Sequence, residues 1–310
     1  MLGESIALVV TVSWTLCALF GEMATKRLGA LPLNVIRMVL TLLLLGAALW
    51  FMVGHPYPYL ANGQTWLWLS LSGLMGFGFG DYCLFNSYVL IGSRFGQLFM
   101  TLASPFAALT AWMLLDERMS ALSILGMTIT LTGIGMSILG KAPSEDAHRH
   151  VSVKLPLKGV AFAIGASMGQ GVGLVLSKIG LNHYTLAATG EAVHPLLFSV
   201  GGTMIRALTG LFCFLFLLFL KRKADRLVTA VQDGRGMHYA FWATVLGPAV
   251  GVSLSLLAVQ YTQAGIAQTI MSLVPVLIIW PSHILFKTKV TRTEVIGACI
   301  AVCGTTLFFI

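Results

Sequence analysis

The sequence predicts an all-α integral membrane protein with ten transmembrane helices, arranged as two inverted five-helix repeats. Three observations support this fold class. Of the 310 residues, 57% are hydrophobic and only 10% are charged, whereas a soluble chain of this length needs about a quarter of charged residues to cover its surface. Apolar runs long enough to cross a membrane recur along the whole chain. The second half of the chain also repeats the pattern of the first half.

Ten segments approach the roughly 20 mostly apolar residues that a spanning helix needs. In the first half, segments 1 to 5 are residues 6–26, 33–53, 66–90, 95–115 and 122–139. In the second half, segments 6 to 10 are residues 159–178, 196–220, 239–261, 266–286 and 295–310. The predicted domains are a five-helix unit over 1–140, a polar joint over 141–158 and a second, inverted unit over 159–310. Segment 1 lacks a basic flank and a cleavage pattern, so it is expected to be a retained helix.

An internal repeat becomes visible when the two halves are aligned. GQLFMTLASP at 96–105 matches AQTIMSLVP at 267–275 after one deletion. Pairs at an offset of 171 residues are Gly76 with Gly247, Gly80 with Gly251, Gly126 with Gly297, and Gly133 with Gly304; Arg37 matches Arg206 and Lys26 matches Lys178 at smaller offsets. Because five is odd, the second unit enters the membrane from the opposite side. Inverted repeats of this kind are typical of transporters.

The distribution of basic residues predicts the orientation in the membrane, because basic residues in short loops stay in the cytoplasm. The loops after segments 1, 3, 5, 7 and 9 hold fifteen Lys or Arg, whereas the termini and the other loops hold only Arg118 and Lys178. Both termini are therefore expected outside the cytoplasm. The net charge of +8 is mostly this orientation signal, so no nucleic-acid partner is expected.

Within these units the chain resembles the EamA-type transporters of the drug/metabolite transporter superfamily. The resemblance is carried by the small-residue entry to segment 3 and by the phrase SYVLIGSRFGQLFMTLASPFAALTAWMLLDERMSALSILGMTITLTGIGMSIL, with its weaker echo in the second half. Glu117 closes segment 4 as in that family, but Thr288 stands where the second half would repeat this acid. The resemblance implies a single-chain secondary transporter of a metabolite, with a central cavity between the repeats and an alternating-access cycle.

Asp81, in the stretch GFGFGDYCLFNSY, is an acid inside an apolar segment. It lies about 15 residues from Trp66, or roughly 20 Å along a helix, which is inside the hydrocarbon layer. An acid at this depth costs about 2.5–3.5 kcal/mol and needs a partner or a proton. Arg37 is the candidate partner. Asp81 is then either half of a static ion pair, or a cavity carboxylate that binds a substrate amine or exchanges a proton.

An enzyme is a third interpretation of Asp81, because GFGD matches the Gly-x-Gly-Asp signature of intramembrane aspartyl proteases. Acid catalysis of that type needs two carboxylates that share one site. The other aspartates lie in loops or at segment ends: Asp116, Asp146, Asp225 and Asp233. The chain is therefore not expected to be an enzyme.

Two arginines and two prolines are candidates for the moving parts. Arg37 enters segment 2 from the cytoplasmic side and Arg206 enters segment 7 from the outer side; they are either alternating gate partners or interfacial residues that snorkel to the membrane surface. Pro105 and Pro275 each remove one backbone donor near the middle of segments 4 and 9. They are either packing kinks or hinges along the substrate pathway.

Aromatic and neutral polar residues near the midplane are candidates for the cavity wall, although such residues also bridge helices. With Asp81, they are Trp14, Tyr82, Phe85, Asn86, Gln97, Gln170, Ser253, Ser255, Gln268 and Trp280. This mixture favours a small amphipathic substrate. Cysteines occur only inside predicted segments and without CxxC spacing, so they are expected to be packing residues, and no metal or cofactor is expected.

The sequence and the resemblance together predict a transporter that exports an amino acid or a related amphipathic amine from a bacterial cell. The protein is expected to be a multi-pass protein of the inner membrane, with lipid and a small molecule as partners and protons as the candidate coupling ion. Its oligomeric state, monomer or homodimer, stays open. The alternative is a membrane scaffold or receptor that transports nothing and has a degenerate cavity.

Overall fold

The computed structural model describes residues 1–139, 156–189, 194–222, 224–278 and 292–307, and every regular element in these ranges is a helix. The α-helices are α1 (Leu2–Leu28), α2 (Ala30–Val53), α3 (Gly63–Gly73), α4 (Tyr82–Met100), α5 (Ala103–Leu115), α6 (Ala121–Leu139), α7 (Leu157–Ala187), α8 (Pro195–Leu220), α9 (Ala224–Gln232), α10 (Gly234–Thr244), α11 (Ser253–Tyr261), α12 (Ala264–Met271), α13 (Val274–Leu277) and α14 (Arg292–Thr306). Two π-helices complete the set, the first π-segment (Leu74–Asp81) and the second π-segment (Val245–Val252).

Six helical stretches are long and apolar enough to cross a membrane, which confirms the prediction of an all-helical, multi-pass membrane protein. They are Leu2–Leu28, Ala30–Val53, Phe95–Leu115, Leu157–Ala187, Pro195–Leu220 and Gly234–Tyr261. Three shorter helices are also apolar: Ala121–Met136, Ala264–Leu277 and Val295–Thr306. Large side chains on the outer surfaces of the long stretches, such as Leu43 of α2 and Phe212 of α8, are two-thirds exposed, as expected where lipid is the solvent.

The described helices begin and end within about five residues of the predicted segments, apart from two differences; residues 279–286 of segment 9 and 308–310 of segment 10 lie outside the described residues. α7 begins inside the predicted joint and continues nine residues past the predicted end of segment 6, because the residues after Lys178 still pack their apolar side chains, Leu181 and Tyr184, into the core. α9 lies in a stretch that the sequence predicts to be a loop, between segments 7 and 8. It is a short amphipathic helix that packs Leu227 and Ala230 into an apolar cluster with Leu28 and Leu33, while Val228 on the same helix stays exposed.

The two π-segments repeat each other at the same offset of 171 residues as the sequence motifs. Helix breaks repeat in the same way, between Met100 and Ala103 in the first half and between Met271 and Val274 in the second. π-helical turns are rare and occur frequently at functional sites. The internal repeat that the sequence suggests is therefore also a repeat of local backbone structure.

Small residues allow the π-segments to approach their neighbours closely. A Cβ added at Gly169 of α7 would lie 2.6 Å from the Met75 carbonyl oxygen, and one at Gly173 would lie 3.0 Å from the Gly76 nitrogen. Contacts at these distances leave no room for a side chain, so α7 lies directly against the first π-segment. The second π-segment has α1 as its neighbour, because a Cβ at Gly251 would lie 2.5 Å from Trp14 Nε1.

The same close approach joins α6 to α14. A Cβ at Gly133 would lie 2.4 Å from the Ala301 nitrogen, and one at Gly304 would lie 2.6 Å from the Thr130 nitrogen. Gly133 and Gly304 are repeat mates, so each helix presents its small residue to the other. These reciprocal contacts let the backbones of α6 and α14 approach closely.

Replacing Gly133 with alanine is expected to lower the free energy of unfolding by about 1–3 kcal/mol, because the added methyl group forces the backbones of α6 and α14 apart. Gly135 is the matched control, since it lies in the same helix and a Cβ there meets nothing within 4 Å. Its replacement with alanine is expected to be neutral or to stabilise by up to about 1 kcal/mol. Thermal unfolding of both variants in detergent measures the difference, and equal midpoints would contradict the packing argument.

Candidate functional site

A cavity between the two halves is the candidate functional site. It contains about 620 Å³ of space between atoms, part of which is open to solvent. Its lining residues are Trp14, Cys17, Ala18, Arg37, Phe77, Asp81, Leu84, Phe85, Tyr88, Gln97, Met100, Gln170, Gly247, Val252 and Gln268. The wall is therefore mostly apolar and aromatic, with three glutamines and one charged pair. A wall of this composition suits an amphipathic molecule.

The charged pair of the cavity is Arg37 and Asp81. Arg37 Nη1 donates to Asp81 Oδ2 at 3.0 Å and to Asn34 Oδ1 at 3.1 Å. Gln170 Nε2 donates to Asp81 Oδ1 at 3.0 Å and to the Gly76 carbonyl oxygen at 3.2 Å. Each oxygen of the Asp81 carboxylate thus accepts a hydrogen bond from the protein. Gln170 belongs to α7 and Asp81 to the first π-segment, so this network joins the two halves.

Both arginines lie deep in the protein rather than at its surface, which corrects the expectation of interfacial snorkelling. Arg37 is 4% exposed and Arg206 is 2% exposed. Aromatic rings support both guanidinium groups, with Arg37 Cζ 4.5 Å from the centre of the Phe85 ring and Arg206 Cζ 5.0 Å from that of Phe77. A guanidinium over an aromatic face gains electrostatic energy without water. The arginines are therefore part of the interior around the cavity.

The repeat relates several residues around the cavity. Gln97 and Gln268 are repeat mates and both line it, as do Asp81 and its mate Val252. The two arginines make equivalent contacts across the halves. A Cβ at Gly247 would lie 3.1 Å from Arg37 Nη2, and a Cβ at its mate Gly76 would lie 2.5 Å from Arg206 Nη2. Each arginine occupies the space that a glycine of the other half leaves.

Of the predicted cavity residues, Trp14, Asp81, Phe85, Gln97, Gln170 and Gln268 line the cavity, and Arg37 lines it as well. Trp280 lies outside the described residues.

Four other predicted cavity residues lie outside the lining because helix neighbours hold their polar groups. The Tyr82 hydroxyl contacts Lys221, and Asn86 Nδ2 donates to the Tyr82 carbonyl oxygen at 2.6 Å. Ser253 Oγ donates to Thr203 at 3.2 Å, and Ser255 Oγ donates to the Val252 carbonyl oxygen at 2.8 Å.

Pro105 and Pro275 lie just after the helix breaks rather than inside continuous helices. Each stands in the first turn of a restarted helix, α5 or α13, where a missing N–H costs little. Ser104 N donates to the Thr101 carbonyl oxygen at 3.2 Å, which partly replaces the bond that Pro105 cannot make. Gln97 and Met100 of the cavity wall lie directly before the first break, and Gln268 lies directly before the second.

Sequence reasoning missed the apolar and weakly polar part of the wall. These residues are Cys17, Ala18, Phe77, Leu84, Tyr88, Met100, Gly247 and Val252. The repeat alone could have indicated Val252 and Gly247, since their mates were singled out. Within the described residues, no group of three or more His, Cys, Asp or Glu could hold a metal ion.

Tight polar contacts lie at one end of the helices, here called the Glu117 end. Lys178 Nζ lies 2.5 Å from Glu117 Oε1 and donates to the Thr262 carbonyl oxygen at 2.8 Å. Glu117 Oε2 accepts from the Ala264 backbone N–H at 3.1 Å, at the first turn of α12. Thr262 Oγ1 also donates to Glu4 Oε1 at 2.6 Å. These contacts join α1 and α7 to the residues that follow α5 and α11 and to the start of α12.

The opposite end, here called the Arg27 end, has more exposed contacts. Arg27 pairs with Asp233 through two hydrogen bonds of 2.7 and 2.9 Å. The bonds from Arg27 and from the Gly236 N–H stabilise the charged form and hold the pKa of Asp233 below its usual value. Ser93 contacts Glu22 near the break inside α4, where Gly92 has a φ of 76° that favours glycine.

The cavity extends toward the Arg27 end. Tyr88, Gln97 and Met100 of its wall flank the break inside α4, which reaches that end. Val259 and Met271, the repeat mates of Tyr88 and Met100 toward the Glu117 end, do not line the cavity, whereas Gln268, the repeat mate of Gln97, does. The two halves are therefore similar in backbone structure, but equivalent residues of the two halves do not line the cavity to the same extent.

Comparisons with known proteins agree with this architecture. The family model described as the EamA-like transporter family matches residues 1–139 and 157–310. A solved structure described only as "Crystal structure of protein" is 15% identical, covers 98% of this chain and 96% of its own, and has a TM-score of 0.62. At this identity the likeness shows the fold alone. No curated protein sequence matches the chain.

Proposed function

Because the chain belongs to the EamA-like transporter family, we propose that it is a secondary-active transporter that moves a small metabolite across the membrane by alternating access. The observation that carries this proposal is the cavity between the halves, which joins an apolar wall to a buried network of Arg37, Asp81 and Gln170. Buried ionisable residues of membrane proteins face the interior and mark substrate or ion pathways.

The proposed transporter has ten membrane spans in two inverted repeats. The six long apolar stretches and the three shorter ones supply nine spans, and the run from α3 through the first π-segment to the break in α4 supplies the tenth. The exchange of contacts supports inversion, since α1 packs on the second π-segment while α7 packs on the first. An odd number of spans in each unit then requires opposite directions of entry.

Alternating access requires one end to close while the other opens. The contacts among Lys178, Glu117 and Thr262 hold the Glu117 end together, while the cavity extends toward the Arg27 end. The helix breaks before Pro105 and Pro275 lie next to the cavity glutamines, where a hinge would change its shape. In this proposal the Arg27 end faces the cytoplasm and both termini lie outside it, as the loop charges predict.

An amino acid or a related amphipathic amine is the proposed substrate class, and export from a bacterial cell is the proposed direction. The apolar wall fits a side chain, while the glutamines and the Arg37–Asp81 pair offer hydrogen bonds to polar groups. Asp81 is the proposed site of proton exchange, because its carboxylate lines the cavity. The cavity volume excludes macromolecular substrates.

Transport by the purified protein in liposomes tests the proposed function. Liposomes with the native chain, exposed to a mixture of the twenty amino acids under a proton gradient, are expected to accumulate at least one of them, measured by mass spectrometry. Gln268→Leu removes a polar group of the cavity and is expected to slow uptake at least tenfold. Gln260→Leu is the matched control, because Gln260 hydrogen-bonds Ser199 outside the cavity, and its uptake is expected to equal that of the native chain.

Two outcomes would count against transport. If folded native protein accumulates none of the amino acids in either direction of the gradient, the scaffold or receptor becomes the better description. If Gln268→Leu and Gln260→Leu slow uptake equally, the cavity described above is not the substrate site.

A further inference from the structure

Arg206 is a buried arginine without a counter-charge of its own. It is 2% exposed, and no carboxylate oxygen of the described residues lies within 4.0 Å of its guanidinium nitrogens. Its Nε is buried and has no hydrogen-bond partner. Both oxygens of Asp81, the carboxylate that lines the cavity, already accept hydrogen bonds from Arg37 and Gln170.

The repeat explains why the counter-charge is missing. In the first half, Arg37 of α2 pairs with Asp81 at the end of the first π-segment. In the second half, Arg206 takes the place of Arg37, and Val252 takes the place of Asp81 at the end of the second π-segment. Two arginines therefore share one carboxylate, and the buried network carries one surplus positive charge. An uncompensated charge in the membrane interior is costly unless something neutralises it.

We infer that a carboxylate of the substrate supplies the missing negative charge and that Arg206 is the residue that makes the cavity select it; this inference rests on the proposed transport function. Arg206 acts from behind the wall, because its guanidinium lies against the Phe77 ring and next to Gly76. Phe77 and Gln170 line the cavity in front of it. Charges act over longer distances in a region of low dielectric than in water, so one layer of side chains does not screen Arg206.

The chemistry of the site limits the class of anion. One surplus positive charge matches one carboxylate group, whereas a phosphate ester would bring about two negative charges to the same guanidinium. Gln97 and Gln268 offer N–H groups to a carboxylate, and the apolar remainder of the wall fits an apolar body. Within the proposed substrate class, amino acids therefore fit this site, and amines that lack an acid group do not.

Paired substrates test this inference directly. Each amino acid is compared with its amide, which keeps the side chain and the amine but lacks the negative charge. Native protein in liposomes is expected to transport at least one amino acid at least tenfold faster than its amide. Arg206→Gln is expected to bring this ratio close to one, whereas Arg206→Lys, which keeps the charge, is expected to preserve it. A purely structural role of Arg206 would lower both rates together and leave the ratio unchanged.

A second variant tests whether the missing carboxylate at position 252 explains the acid preference, and it keeps Arg206 in place. Val252→Asp places a carboxylate at the position equivalent to Asp81, and is expected to neutralise Arg206 internally and to abolish the preference for the acid. Val252→Asn is its matched control and is expected to keep the preference. Unchanged acid preference in folded Val252→Asp or Arg206→Gln would overturn the inference.

Failure of the inference and failure of the proposed function can be told apart by adding a binding measurement. Transport of acids and amides at equal rates would overturn the role of Arg206 and leave the transporter in place. Thermal stabilisation by amino acids but not by their amides, without any flux, would support the selective site and overturn transport. Neither flux nor stabilisation by either compound would overturn both.

Discussion

Replacing Asp81 with asparagine is expected to abolish the pH dependence of transport while the chain stays folded. Among the described residues, Asp81 is the one carboxylate that lines the cavity, and asparagine cannot exchange a proton at pH values where proteins fold. Asparagine has nearly the same shape and keeps one acceptor oxygen for Arg37. The measurement is the rate of amino-acid uptake into liposomes between pH 5 and pH 8 for both chains.

Asp233→Asn is the control for this experiment, because Asp233 also bonds an arginine but does not line the cavity. We expect its transport to keep the pH profile of the native chain. A profile of folded Asp81→Asn that matches the native profile would contradict proton exchange at Asp81 and leave a static ion pair as its role.

Replacing Arg37 with alanine is expected to lower the free energy of unfolding by about 3–5 kcal/mol, because it leaves the buried Asp81 carboxylate without its partner. The pair is 3.0 Å long, and both side chains are at most 6% exposed. The loss is expected to shrink when Asp81→Asn is added, since the stranded charge is then gone. Unfolding of the two single variants and the double variant in detergent gives the coupling energy of the pair.

Lys26→Ala provides the comparison with an exposed ion pair. Lys26 and Glu22 lie 2.6 Å apart, but the lysine side chain is 65% exposed, so the loss is expected to be at most about 1 kcal/mol. If the losses from Arg37→Ala and Asp81→Asn simply add in the double variant, the two side chains are not energetically coupled and the pair does not stabilise the fold.

The repeat is the part of this architecture that the sequence predicted most closely. The offset of 171 residues between the glycines of the two halves is also the offset between the π-segments and between the helix breaks. This agreement has a simple cause, since small residues and prolines act on the backbone nearest to them. The partner of Asp81 was predictable for a similar reason, because a buried acid in lipid requires an available base and the chain offers few.

The cavity wall was harder to predict because it depends on how helices are rotated about their axes. Ser253 and Ser255 are polar and near the midplane, yet their hydroxyls bond Thr203 and the backbone of Val252. Phe77 and Met100 were indistinguishable in the sequence from lipid-facing residues, yet both line the cavity. In a membrane, apolar side chains are compatible with lipid, core and cavity alike, so composition does not separate these positions.

The sequence by itself determined the membrane as solvent, the helical class, the repeat and the identity of the buried charges, because each follows from composition or from local backbone chemistry. Only the tertiary structure decided that Arg37 and Arg206 are buried, that Asp81 bonds Gln170 as well as Arg37, and that Tyr88 and Met100 line the cavity while their repeat mates do not. These features arise from contacts between residues as far apart as Gly76 and Arg206. No local pattern encodes such contacts, since they depend on the packing of all the helices at once.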